Sequence, residues 1–247
     1  MANTLNSNKR NSISVCMATY NGEKYIKEQM DSILKQLSPN DEVIVSDDGS
    51  TDDTLVILES YHDPRIVIYQ NNMHNYTRNF ENAINKSSGD IIFLADQDDV
   101  WLENKVSLVL KTFEETNADL IVTNVSITDG NLNVVDESHF KSSHVEKGFL
   151  KNWLGTRYIG SAMAFKRKIL DKVLPIPGKS KYIAHDYWIA CICEKYYKTE
   201  LIEQPLMLYR RHGDNASTGV GKSDKSFFFK CYKRFYTLHY ILQRGKV

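Results

Sequence analysis

Neither sign of charge is in excess in this chain of 247 residues, where 31 Lys and Arg stand against 31 Asp and Glu. Nothing global therefore points to nucleic acid, whose backbone attracts a basic surplus. Cysteine is scarce. Cys16, Cys191, Cys193 and Cys231 form no C-x-x-C pair and no zinc-ligand spacing, which suits reduced, buried thiols in a cytosolic protein. No apolar run approaches the roughly 18 residues of a spanning helix. The opening MANTLNSNKRNS lacks the apolar core of a signal peptide, so a cytoplasmic protein is expected. There is no G-x-G-x-x-G, which leaves a nicotinamide or flavin site without support. Gly178-Lys179-Ser180 and Gly221-Lys222-Ser223 resemble the end of a P-loop. That motif needs another glycine five residues earlier, where Val173 and Ala216 stand.

What is present suits an ordinary globular protein, with 42% hydrophobic and 25% charged residues. Apolar strand-like runs alternate with helix-period stretches from Ile13 to Leu94: strands at 13–18, 42–46, 65–70 and 91–94, helices at 23–37, 51–61 and 77–86. That order predicts a parallel sheet covered on both faces. In such sheets ligands bind outside the carboxyl ends of the strands. Polar clusters stand at three of those ends: Thr19-Tyr20-Asn21, Asp47-Asp48-Gly49-Ser50 and Asp96-Gln97-Asp98-Asp99. Ser50 or Thr51 is placed to cap the second helix. Beyond residue 100 the pattern is mixed, with strands expected at 119–127, 157–165 and 201–209, a turn at Asp129-Gly130-Asn131, and helices to Val173 and over 184–197.

Asp96-x-Asp98 can aim one carboxylate at a sugar hydroxyl and another at a hard divalent cation, Mn2+ or Mg2+. The plainer alternative has Asp98 and Asp99 at the start of a helix running from Trp101. Asp47-Asp48-Gly49-Ser50 reads as a capped turn or, beside Thr19-Tyr20-Asn21, as a nucleotide clamp. His185-Asp186 opens an apolar helix, either as a simple cap or with Asp186 as a general base. In Tyr209-Arg210-Arg211-His212, Arg and His could meet diphosphate oxygens, and His212 could bind the metal, unless the segment is a solvated loop.

On "SVCMATYNGEKYIKEQMDSIL", "VIVSDDGSTDDT", "NYTRNFENAI", "GDIIFLADQDDVW", "HDYW" and "YRRHGDN", in this order, the chain resembles glycosyltransferase family 2 over roughly residues 12–215. The DQDDVW wording is most similar to the bacterial rhamnosyltransferase-like branch. The resemblance implies an α/β, GT-A fold: a Rossmann-like, mostly parallel sheet flanked by helices, with a mixed acceptor-side half. A polar tail over 1–11 would precede one domain, 12–224, divided into a nucleotide-sugar half (12–101) and an acceptor half (102–224). It places Thr19, Tyr20, Asn21, Glu23, Asp48, Arg78 and Asp96 at the donor, Asp98 and His212 at Mn2+ or Mg2+, Asp186 as catalytic base, and Ser161, His185 and Trp188 on the acceptor side. The implied reaction is inverting transfer from a nucleotide-sugar, dTDP-L-rhamnose before UDP-galactose or UDP-glucose. The acceptor would be a lipid-linked or growing glycan of a bacterial surface polysaccharide. The His212 assignment departs from the family's commoner Gln-x-x-Arg-Trp ending. A sugar-phosphate nucleotidyltransferase shares the strand-end acids but needs a Gly-rich loop, which Ala18-Thr19-Tyr20-Asn21-Gly22 matches poorly. A non-catalytic nucleotide-sugar-binding module would not need both Asp98 and Asp186.

Residues 225–247 carry six Lys or Arg and no acid, interleaved with aromatics. Positions 228, 232, 235, 239 and 242 trace one side of a helix. That side either packs on the body or lies on an anionic membrane, at its cytoplasmic face.

Overall fold

The structure is a computed structural model that describes residues 10–178, 182–213 and 226–245. Residues 1–9, Gly221-Lys222-Ser223, Lys225 and Lys246 lie outside the described residues. The first half runs β1 (Ile13–Thr19), α1 (Ile26–Leu34), β2 (Glu42–Asp47), α2 (Thr54–Glu59), β3 (Ile66–Gln70), α3 (Tyr76–Lys86) and β4 (Ile91–Asp96). These strands pair in parallel in the order β3-β2-β1-β4. Helices cover both faces of such a sheet, so its central strands are apolar on both sides. Accordingly Ile13, Val15, Cys16 and Met17 of β1 and Ile92 to Ala95 of β4 are wholly buried. The register sets Thr19 beside Asp47 and Ala18 beside Asp96, which brings three strand ends to one edge.

The second half runs β5 (Val100–Trp101), α4 (Lys105–Thr116), β6 (Leu120–Thr128), β7 (Val134–Asp136), α5 (His139–Ser142), α6 (Phe149–Gly155), β8 (Met163–Lys166), α7 (Leu170–Val173), α8 (His185–Tyr196), β9 (Thr199–Arg210) and α9 (Phe227–Arg244). It extends the same sheet as β4-β8-β6-β9-β5, with β7 on β6. Here β8 is antiparallel to both β4 and β6, while β6 and β9 are parallel. The expected mixed half is present, fused edge to edge with the parallel half.

Three local expectations are corrected, and of the two readings left open for α9 the one that packs its 228–242 stripe on the body is excluded. Asp98 and Asp99 do not start a helix from Trp101. Val100 and Trp101 instead pair with Leu208 and Met207 of β9, and α4 begins at Lys105. Asp53, not Ser50 or Thr51, stands at the N-cap of α2. Ser50 is drawn away because its hydroxyl donates to Asp47 (2.6 Å), and the Thr51 amide donates to Asn21 Oδ1 (2.8 Å). The strand expected at 157–165 shortens to Met163–Lys166, preceded by a 3-10 turn over Gly160–Ala162. Finally, the side of α9 traced by 228, 232, 235 and 239 faces outward, with Phe228 83% and Phe235 66% exposed. The opposite face packs inward, with Thr237 and Ile241 buried and Tyr236 against Tyr182. Among the described residues no helix is long and apolar enough to cross a membrane.

Candidate active site

A cleft of about 1220 Å³ opens along the carboxyl ends of β1, β2 and β4. Thr19, Tyr20, Asp48, Asp96 and Asp98 line one side, and His185 and Asp186 at the start of α8 line another. Asp96, Asp98 and Asp99 converge so that one ligand oxygen from each lies within 4.8 Å of the others. Three carboxylates at that spacing repel, and burial denies them water. Asp96 is accordingly pushed up to about 7, first by burial and then by Asp98. Asp99, wholly buried, is pushed well above the usual carboxylate range by the same two causes. The donor set is hard oxygen, with His212 Nε2 hydrogen-bonded to Asp98 Oδ2 at 2.8 Å. These residues fit a divalent cation such as Mn2+ or Mg2+, whose charge would relieve the repulsion.

The frame around the acids comes from the second half. Ser161 Oγ donates to Asp99 Oδ2 (2.8 Å) and the Arg210 amide to Asp99 Oδ1 (3.1 Å). Arg210 Nε donates to the Asp98 carbonyl (2.8 Å), its guanidinium lies over Tyr25, and it pairs with Glu28. Lys105 lies beneath, wholly buried, donating to the Ser161 carbonyl (3.2 Å) and set over the Trp101 ring at 4.6 Å. Burial pulls this ammonium down to about 7, although Asp99 and Asp96 act the other way. Sequence reasoning missed Lys105. Its signal was a cation at the first residue of a helix, where the dipole favours an acid.

At the β2 end the acids are held differently. Asp47 accepts from Thr19 Oγ1 (2.8 Å), Ser50 Oγ (2.6 Å) and the Ser50 amide (2.8 Å). Asp48 accepts from the amides of Met73 (2.7 Å), His74 (2.8 Å) and Asn75 (2.5 Å), and so shapes the loop that leads into α3. Tyr20 is half exposed at the cleft, its backbone clamped by the Gln97 amide on both N–H and carbonyl (2.9 Å each). Asn21 and Glu23 are not in the cleft lining. They brace the loops after β1 and β2, accepting from the amides of Thr51 (2.8 Å) and Asp53 (2.9 Å).

Three further expected residues stand apart from the cleft. Arg78 turns to Glu81 and to the carbonyls of Ile176 and Gly178 (2.9 Å each). Trp188 is wholly buried and donates to the Val173 carbonyl (2.8 Å), so it supports α8 from within the core. Ser161 faces Asp99 rather than the open cleft. By contrast His185 lines the cleft, 6% exposed, stacked on Phe80 at 4.0 Å, and neither ring nitrogen has a partner among the described residues. Burial lowers its pKa, which keeps the imidazole neutral with one donor and one acceptor to offer. Asp186 beside it accepts from the Tyr187 amide (2.6 Å), and its charge raises the pKa of Asp96 across the cleft.

The family model for glycosyl transferase family 2 matches residues 14–174, well over half of the chain. The chain belongs to glycosyltransferase family 2. Among its relatives, a glycosyltransferase of Nostoc sp. is 26% identical over 82% of this chain and 66% of its own length. The dTDP-rhamnosyl transferase RfbG of Shigella flexneri is 28% identical, covering 81% of this chain and 72% of RfbG. The crystal structure of S. aureus TarS residues 1–349 with UDP-GlcNAc superposes with a TM-score of 0.71 at 19% identity, over 92% of this chain and 66% of TarS. The chain thus spans about two thirds of the Nostoc protein and of that TarS structure. The superposition carries the fold, which is the family's GT-A fold: a mixed α/β sheet, parallel in its first half.

Proposed function

We propose that the chain is an inverting glycosyltransferase of bacterial surface polysaccharide synthesis, moving a sugar from a nucleotide-sugar to a hydroxyl of a lipid-linked or growing glycan. The observation that carries this reading is that Asp186 lines one cleft with Asp96 and Asp98, the two acids that Asp99 backs from within. Residues 12–224 would act as one domain, a reading supported by the sheet that runs unbroken from β4 into β8. The first half would hold the donor, with Tyr20 and Asp48 at the nucleotide and Asp96 at the ribose or sugar. A divalent ion, Mn2+ or Mg2+, would be held by Asp98 with Asp96 and His212 in reach and would offset charge on the departing nucleoside diphosphate.

Asp186 would take the proton of the acceptor hydroxyl as that oxygen attacks the anomeric carbon. Attack from the face opposite the diphosphate inverts the anomer. His185, neutral and without a partner, can orient the same hydroxyl. For the donor, the likeness to a dTDP-rhamnosyl transferase favours dTDP-L-rhamnose, ahead of UDP-glucose and UDP-galactose. The test is Asp186→Asn assayed with a panel of nucleotide-sugars. Transfer should fall by about 10² to 10⁴, the usual weight of a general base, while donor affinity by calorimetry stays within twofold. Transfer at the wild-type rate would remove the assignment.

A further inference from the structure

The acids of the cleft close β4 and the base opens α8, two elements joined by no strand pairing. One short segment touches both: the 3-10 turn Gly160–Ala162, buried throughout, between α6 and β8. On one side Ser161 Oγ donates to Asp99 Oδ2 (2.8 Å), and the Ser161 carbonyl accepts from Lys105 Nζ (3.2 Å). On the other side Gly160 lies against the start of α8. A Cβ on Gly160 would stand 2.8 Å from His185 Nε2 and 3.2 Å from Asp186 Cβ. A carbon does not sit that close to a non-bonded nitrogen, so only hydrogen fits there while α8 keeps its place. β8 follows the turn directly and pairs with β4, Ala164 opposite Phe93. The turn is thereby tied to the strand that delivers the acids.

The base end of this bridge is held by shape. Both ring nitrogens of His185 are buried without a hydrogen-bond partner among the described residues. Phe80 stacks on the ring at 4.0 Å, Tyr76 meets it edge-on at 5.9 Å, and Gly160 closes the side at Nε2. The Asp186 carboxylate accepts from the Tyr187 amide, a bond inside its own helix turn that ties it to nothing else. Trp188 fixes α8 from the core side through the Val173 carbonyl (2.8 Å), and Gly160 is the stop on the cleft side. A group seated by packing takes its position from what it packs against. Transfer needs the cation on the diphosphate and the base on the acceptor at one fixed separation, and an error of about 1 Å can cost about 10²-fold in rate.

We infer that the turn Gly160–Ala162 sets the distance between the divalent-ion site and the base, with Ser161 and Gly160 as positioning residues for the transfer. This rests on the glycosyltransferase reading and deepens it. The base side is read from the full chain carrying isotope-labelled histidine, where the His185 ring resonance is identified by its loss in His185→Gln. Ser161→Ala should weaken Mn2+ about tenfold in an electron paramagnetic resonance titration, the usual weight of a group behind a metal ligand, and should also move the His185 resonance. Gly160→Ala should keep Mn2+ affinity within about twofold and move the His185 resonance, with kcat down about 10²-fold at a donor KM within about twofold. A merely structural role would lower the melting temperature without separating ion from base. Unchanged Mn2+ affinity in Ser161→Ala, or weakened affinity with the His185 resonance unmoved, would overturn the inference. So would a folded Gly160→Ala with that resonance unmoved; if Gly160→Ala does not fold, Ser161→Ala alone decides. Neither the ion nor the ring readout needs sugar transfer. No turnover of any nucleotide-sugar by the wild type, with both readouts as expected, would remove the transferase reading alone. Turnover with both readouts unmoved would remove this inference alone.

Discussion

At the end of β2, Asp47 and Asp48 accept hydrogen bonds from backbone amides and hydroxyls of the last residue of β1 and of two loops, all within 3.1 Å. At the end of β4, Asp96, Asp98 and Asp99 lie within 4.8 Å of one another, and two of them have a strongly raised pKa. In sequence the two clusters look alike, each a run of aspartates after an apolar strand. The difference is the supply of donors. A carboxylate surrounded by N–H groups has its acceptor capacity filled and shapes a loop, whereas carboxylates facing one another are left in want of a cation. Donor supply, rather than the presence of acids, separates the scaffold from the chemistry.

Exchanging charge for amide at each end should break the symmetry most visibly. Asp98→Asn should lower metal-dependent transfer by about a thousandfold, on the order of a lost charge-stabilising group, while Asp48→Asn lowers it less than tenfold. In unfolding by urea the order reverses. Asp48→Ala leaves three amides without their acceptor and should cost roughly 3 kcal/mol, whereas Asp98→Asn removes repulsion and should cost nothing. A stability loss in Asp98→Asn as large as that in Asp48→Ala would erase the distinction.

The pH dependence gives a smaller but sharper contrast. Folded, Asp96 keeps its proton to about pH 7; unfolded, it releases it near its ordinary 3.8. The folded state binds the extra proton between those values, so the Asp96 contribution to metal-free stability falls as pH rises through that window and is level above it. A cation binds the ionised form. Mn2+ should therefore raise the melting temperature by about 3–6 °C at about pH 8 and by far less at about pH 5.5. Lys105→Met removes a positive charge that lowers the Asp96 pKa, so the midpoint of this Mn2+ effect should move up by about half a unit. An unmoved midpoint would mean that the buried ammonium does not act on the acids.

The parallel half was legible because its rules are local. Each strand of β1 to β4 is an apolar run closed by a polar cluster, and the ligand edge follows from parallel pairing alone. That the acids of Asp96 to Asp99 stand at that edge was legible for the same reason. What sequence could not show depends on contacts between distant segments. Asp99 looked like a helix start, but Ser161 and Arg210, 62 and 111 residues away, make it part of the cluster. Ser161 and Trp188 carried acceptor-side positions by resemblance, and tertiary packing turned one toward Asp99 and the other into the core. Lys105 was hidden because a lysine on a helix ordinarily reads as surface, and only the sheet's second half buries it. In α9 the helix was legible, and its periodic stripe was correctly traced. Which side faces the body was not, since both sides carry aromatics.

The most direct test is a Mn2+ titration followed by electron paramagnetic resonance on the wild-type chain, Asp98→Asn and Asp48→Asn. The account predicts a site in the wild type that survives Asp48→Asn and weakens at least about a hundredfold in Asp98→Asn. Mn2+ binding unchanged by Asp98→Asn, or lost in Asp48→Asn with the fold intact, would contradict it.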